Sequence, residues 1–228
     1  LMNIGMMKAQ DAFKATRFIS DNHAITTVAT GHRYVLLPIE EKEDAAEIRI
    51  IADNHCLKSL RVRLAVGKPD YLVPLDLQAL GTKDPVSLDI IFPSNRRSSG
   101  NIESFTCWRY IKESDSFDAT NREKFRPAFH HTPAWGWMND PNGMFYKDGV
   151  WHLYYQHNPY GSLWDNMTWG HSTSRDLVHW TFEGDPIEPD AWGTIFSGSS
   201  IVDHDGVAGY GKDAVVAYYT SAREGQTQ

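Results

Sequence analysis

The sequence predicts an all-β protein in two parts, and three observations carry that reading. Short β-prone runs recur along the 228-residue chain, separated by pieces rich in Gly, Pro, Asn and Asp. Charged and apolar side chains alternate in Glu47-Ile48-Arg49-Ile50 and in Leu60-Arg61-Val62-Arg63-Leu64, the period of a strand with one face buried and the other wet. In the second half an Asp-Gly pair, Asp148-Gly149, joins two such runs as a hairpin turn would.

Taken in order, residues 24–30, 33–39, 46–52, 57–66, 71–75, 86–92 and 104–111 each read as a strand. Gly31-His32, Gly67-Lys68-Pro69-Asp70 and Pro93-Ser94-Asn95 supply turns between them, so this half is expected to be a β-sandwich. The polar segment 113–123 breaks the pattern and reads as a linker, which puts a boundary near residue 120 and divides the chain into 1–120 and 121–228. Beyond it, residues 144–146 and 150–156 flank Lys147-Asp148-Gly149, and 167–172 and 178–182 add two more strands around Arg175-Asp176. Four antiparallel strands in so short a span make one propeller blade. Residues 196–203 and 214–220, with Gly206, Gly209 and Gly211 in the loop between, begin a second.

Composition narrows the function. The net charge is −7 and basic residues do not run beyond pairs such as Arg96-Arg97, which argues against a nucleic-acid or acidic-membrane partner and favours a neutral, polar substrate. Aromatic residues make up 12% of the chain and its eight Trp all follow residue 107; such rings stack on sugars but also fill ordinary cores. The sequence holds no run of eighteen apolar residues, so no membrane-spanning helix is expected. Residues 1–8 lack the layout of a signal peptide, leaving a cytoplasmic chain or one whose signal has been removed. Cys56 and Cys107 are expected as buried free thiols, with a disulfide as the alternative. The ten histidines show no compact ligand spacing, and Asp203-His204-Asp205-Gly206 lacks the remaining ligands of a calcium loop, so no metal or other cofactor is expected.

The most informative segment is Trp137-Met138-Asn139-Asp140-Pro141-Asn142-Gly143. Pro141 biases Asp140 toward an extended backbone and Asn142-Gly143 is a turn pair, so Asp140 is expected at a strand end with a definite direction. Alone, these letters also fit a polar turn with an Asx cap. They do not stand alone. His130-His131-Thr132-Pro133 and Gly136 precede them, and Tyr155-Gln156-His157-Asn158-Pro159, Trp164 through His171, and Phe196-Ser197-Gly198-Ser199 follow in order. That succession, over residues 126–228, closely resembles glycoside hydrolase family 32, the β-fructofuranosidases, which include invertases, inulinases and levanases. The first half resembles, more weakly, a small β-domain that precedes the catalytic propeller in some bacterial fructan hydrolases.

The resemblance implies a five-bladed propeller, of which this chain would hold the first one and a half blades behind a β-sandwich-like accessory domain. It implies a retaining glycosidase, whose two carboxyl groups sit about 5–5.5 Å apart. Asp140 matches the nucleophile, kept ionised with help from the Asn139 amide. Asn139 and Gln156 match residues that hydrogen-bond the fructosyl ring, Trp164 and Phe196 the apolar wall around it, and Ser197 a hydroxyl that contacts it. Trp137 and Trp169 fit either the pocket or the core. The family's acid/base lies in a Glu-Cys pair and its transition-state stabiliser in an Arg-Asp-Pro triplet. Neither occurs here, since Arg175-Asp176 is followed by Leu177. The expectation is therefore an N-terminal portion of a secreted or cell-envelope fructosidase acting on levan, inulin or sucrose, inactive by itself. A fructosyltransferase on the same fold, an arabinan-degrading propeller enzyme and a non-catalytic fructan-binding module are the alternatives. The apolar strand 214–219 would lack a neighbour, so self-association or a second polypeptide at that edge is also expected.

Overall fold

Strands account for most of the chain in the computed structural model, which describes residues 15–29, 31–119, 124–223 and 226–227. The chain divides into two compact units, Leu1–Asp118 and Ala119–Gln228.

In the first unit, β1 (Arg17–Phe18), β2 (His23–Val28), β4 (Ala46–Ala52), β5 (His55–Val62) and β7 (Val86–Ile91) form an antiparallel sheet in the order β1-β2-β7-β4-β5. A second sheet runs β6-β3-β8, from β3 (Tyr34–Ile39), β6 (Tyr71–Asp76) and β8 (Lys112–Ser114). The alternation read from Glu47-Ile48-Arg49-Ile50 appears directly, with Ile48 and Ile50 fully buried and the charged pair outside. They join Leu88 and Ile90 of β7, while Val35, Leu37, Val73 and Leu75 are buried on the other sheet. Each such side chain contributes about 1.5–3 kcal/mol on leaving water. Pro38 lies in β3 beyond Leu36, where the pairing with β8 ends, and its carbonyl accepts from the Ala65 N–H at 3.0 Å.

Three expectations fail in this unit. Residues 104–111 are not a strand: a 3-10 turn at Ile102–Ser104 leads into a single helical turn at Cys107–Tyr110. The buried residues Ile102, Phe105, Trp108 and Ile111 recur every third position, a spacing that strand alternation does not produce. The linker also starts later than residue 113, because Lys112–Ser114 pairs with β3, while residues 120–123 lie outside the described residues. Both cysteines are free, but Cys56 is exposed on β5 rather than buried. Cys107 is buried, and burial pushes its thiol far above the ordinary range.

In the second unit, β9 (Trp137–Lys147), β10 (Val150–Asn158), β11 (Thr168–Ser174) and β12 (Trp180–Ile187) form a four-stranded antiparallel meander in chain order, the sheet of one propeller blade. Asp148 and Gly149 both have positive φ, 51° and 80°, as a tight two-residue hairpin turn requires. A further sheet contains β13 (Thr194–Asp203), β14 (Ala214–Arg223) and β15 (Gln226–Thr227). β13 passes close to β9: a Cβ added to Gly143 would lie 2.8 Å from the Ser200 hydroxyl and 3.0 Å from the Trp169 ring.

Candidate active site

Asp140 is aimed by an irregularity in its strand. Asn139 pairs with Gln156 and Pro141 with Tyr155, so β9 carries one residue more than β10 at this point and Asp140 is the extra one. Its φ is +31°, not the extended value that a residue before proline favours. The bulge overrides that preference, and aspartate is among the few side chains that tolerate positive φ. The Asn142 amide donates to the Asp140 carbonyl at 2.9 Å and helps hold the turn of the backbone. Asn142-Gly143, expected as a turn, therefore lies inside β9, where Gly143 (φ 55°) accompanies a second register shift.

A matching irregularity faces it. Phe196 pairs with Thr220 and Gly198 with Tyr219, which leaves Ser197 as the extra residue of β13. The two bulged residues meet: the Ser197 hydroxyl donates to Asp140 Oδ2 at 2.9 Å. The Trp137 indole N–H donates to Asn139 Oδ1 at 2.8 Å, which turns the amide N–H₂ of Asn139 away from the indole. The Asn139 amide first and the Ser197 hydroxyl second hold the exposed Asp140 carboxyl below the usual carboxylate range. It is thus an anion at neutral pH with one oxygen already oriented, which is the state a carboxylate nucleophile needs.

The remaining predicted residues surround this pair in different ways. Gln156 is 2% exposed, and its side-chain N–H₂ has no hydrogen-bond partner among the described residues. Trp164 and Phe196 meet edge to face, centroids 6.3 Å apart, and both remain open to solvent. Trp169 resolves its two readings in favour of the core: it is fully buried, and its indole donates to the Phe196 carbonyl at 3.1 Å. Trp137 is half-buried and holds Asn139.

Sequence reasoning missed the residues that fix this arrangement from behind. Asn158, 2% exposed, donates to the Leu163 carbonyl at 2.8 Å and accepts from the Tyr160 N–H and the Asn166 amide, each at 3.0 Å, organising the loop that carries Trp164. His157 bridges Asp185, at 2.6 Å, and the Trp135 carbonyl, at 2.9 Å. The available signal was the polar Gln156-His157-Asn158 run at the end of an otherwise apolar strand. Among the described residues no group of three or more His, Cys, Asp or Glu is placed to hold a metal ion. Asp203 instead caps its own loop, accepting from the N–H groups of Val207 and Ala208.

Comparison with known proteins agrees with the order of these motifs. Residues 20–129 match a domain family of unknown function, and residues 130–228 match the glycosyl hydrolases family 32 N-terminal domain. A levanase of Bacillus subtilis is 51% identical over 106 residues, which is 45% of this chain and 16% of that protein. An invertase of Wickerhamomyces anomalus is 48% identical over 126 residues, 50% of this chain and 23% of that one. Among solved structures, a fructofuranosidase from Schwanniomyces occidentalis complexed with fructose is 44% identical, with a TM-score of 0.41 over 46% of this chain and 22% of its own. The chain thus spans less than a quarter of the length of these relatives. Residues 130–228 are thus similar to the N-terminal domain of glycosyl hydrolase family 32, a match that covers less than half of this chain.

Proposed function

We propose that this chain is part of a retaining β-fructosidase acting on levan, inulin or sucrose, with Asp140 as the nucleophile. The observation that carries the reading is the Asp140–Ser197 contact at 2.9 Å between two bulged residues, which keeps an exposed carboxylate ionised and aimed. The names levanase, invertase and exo-inulinase among the relatives support the substrate class. In the proposed reaction a carboxylate oxygen of Asp140 attacks the anomeric carbon of the fructosyl unit. The glycosidic oxygen leaves with a proton from a second carboxyl group, and water then hydrolyses the ester and restores Asp140. Asn139 and Gln156 supply amides for the ring hydroxyls, Trp164 and Phe196 an apolar wall.

The Glu-Cys and Arg-Asp-Pro motifs of the family are not within the 228 residues, so this polypeptide alone is proposed to release no fructose. The name extracellular exo-inulinase supports secretion, and no helix among the described residues is long and apolar enough to cross a membrane. Among the described residues β15 pairs only with Ala222 and Arg223 of β14, which supports association of residues 214–221 with further β-structure, from the rest of a propeller or a second copy. The deciding experiment is Asp140→Asn in the full-length protein, assayed for fructose release from levan, inulin and sucrose. Loss of several orders of magnitude in kcat with unchanged folding is expected, and near-normal turnover would remove Asp140 from the role.

A further inference from the structure

The end of β10 touches three parts of the site through three consecutive residues. Gln156 lies opposite Asn139 in the ladder, Asn158 organises the Trp164 loop, and His157 between them points into the protein, 1% exposed. The His157 ring faces acceptors on both sides. Nδ1 is 2.6 Å from a carboxylate oxygen of Asp185 on β12, and Nε2 is 2.9 Å from the Trp135 carbonyl, which can only accept. A neutral imidazole has one N–H and would turn a lone pair toward one of them, so the arrangement requires the ring to carry both protons.

What the second proton holds is the approach to the nucleophile. Trp135 stands five residues before Asp140, and its indole also donates to the Pro159 carbonyl at 3.1 Å. The next residue, Gly136 (φ 80°), packs so tightly that an added Cβ would lie 2.3 Å from the Asn158 carbonyl and 3.1 Å from His157 Nε2. Trp137 follows and orients Asn139, whose amide acts on Asp140. We propose that the ion pair of buried His157 with the partly exposed Asp185 is a positioning device for the nucleophile: it clamps the Trp135 carbonyl and so sets the course of the backbone into the bulge at Asp140.

The surroundings fit a single cation here. The rings of Trp135, Tyr155 and Phe182 surround the imidazole at 5.7–6.2 Å. Of the titratable groups packed near it, burial pushes the Tyr155 phenol up, leaving it neutral. His131 is held down to about 4, by burial first and then by the charges of Arg126 and His157, so it is neutral as well. Burial opposes the charge on His157, but the Asp185 carboxylate and the Trp135 carbonyl outweigh it and hold the imidazolium above its ordinary range.

The activity arm of the test rests on the fructosidase reading; the spectroscopic arm does not. In the full-length protein, His157→Phe is expected to lower kcat about 100-fold with KM little changed. Because that variant strands Asp185 and loses stability, the double variant His157→Phe/Asp185→Leu is made beside it. Replacing both members by apolar groups restores the unfolding midpoint, whereas kcat stays down. Recovery of kcat together with the midpoint, or a normal kcat in the single variant, would overturn the proposal. On the unmodified protein, nitrogen-15 NMR at about pH 6 should show both ring nitrogens of His157 protonated, and one bare nitrogen would equally overturn it. Should Asp140→Asn prove active, the fructosidase reading fails while the ring spectrum still decides the clamp.

Discussion

Replacing Gly198 by Ala tests whether the bulge at Ser197 is a requirement of packing. A Cβ there would lie 1.8 Å from the Tyr218 carbonyl oxygen, 2.8 Å from its carbon and 2.9 Å from the Tyr219 Cα, all backbone atoms that cannot rotate away. Ordinary contact begins at 3.4 Å, so relieving the oxygen contact alone takes 3.4 − 1.8, a separation of about 1.6 Å between β13 and β14. That is about a third of the normal strand spacing of roughly 4.8 Å. Overpacking of this kind costs about 1–3 kcal/mol, and ladder hydrogen bonds weakened on either side add about 1 kcal/mol each. The restricted unfolded chain returns about 0.4–1 kcal/mol. A net loss of about 2–4 kcal/mol follows, which urea unfolding registers as a midpoint lowered by about 1–2 M for a slope near 2 kcal/mol/M. The same displacement carries Ser197 away from Asp140, so on the proposed fructosidase reading kcat of the full-length protein falls about 100-fold. The control is Gly161→Ala, whose added Cβ meets nothing nearer than the Asn158 amide at 3.7 Å and should change stability by no more than about 0.5 kcal/mol. An unaltered midpoint and kcat in Gly198→Ala would refute the packing account of the bulge.

Three further outcomes are expected. Ser197→Ala removes a donor to the Asp140 carboxylate and so raises its pKa; the acidic limb of the kcat/KM profile should move to higher pH, and an unmoved limb would discount the 2.9 Å contact. His157 has a folded-state pKa raised above its ordinary 6.5, so its contribution to stability is complete below about 6.5 and is lost as pH climbs through the raised value. Unfolding midpoints should therefore fall with rising pH in the unmodified protein but not in His157→Phe/Asp185→Leu. With a thiol reagent at neutral pH, exposed Cys56 should react in the folded protein and buried Cys107 only after unfolding, and rapid labelling of both would contradict the burial of Cys107.

How far the residues alone revealed this molecule depended on whether a feature is local in the chain. Alternation in Glu47–Ile50 and the Asp148-Gly149 turn report on neighbours one or two positions away, and both appear as read. The order of motifs located Asp140 and Ser197, which lie 2.9 Å apart although 57 positions separate them. What stayed hidden was the backbone at each. The local rule before Pro141 favours an extended Asp140, but the pairing of β9 with β10 decides otherwise, and pairing is a property of two distant segments. Residues 104–111 were misread because β-prone letters outweighed a three-residue apolar spacing that only burial makes visible. Asp185 gave no sign of itself, since its partner lies 28 positions away on a different strand.

Asp140 and Ser197 are each the surplus residue of their strand, and this makes the site depend on chain length as much as on chemistry. Side chains on a strand alternate between two faces, so one residue added or removed reverses the direction of everything beyond it. A chain lacking Ser197 would keep every other functional side chain and could close β13 and β14 into a regular ladder. Hydrogen exchange across residues 194–203 and 214–223 would then show protection uninterrupted, in a molecule whose Asp140 had lost its partner. On the proposed fructosidase reading, a single-residue deletion would thus extinguish activity while leaving the sheet no worse paired than before. When related sequences are aligned, a one-residue gap at either position would be a sounder mark of a silent site than any substitution nearby.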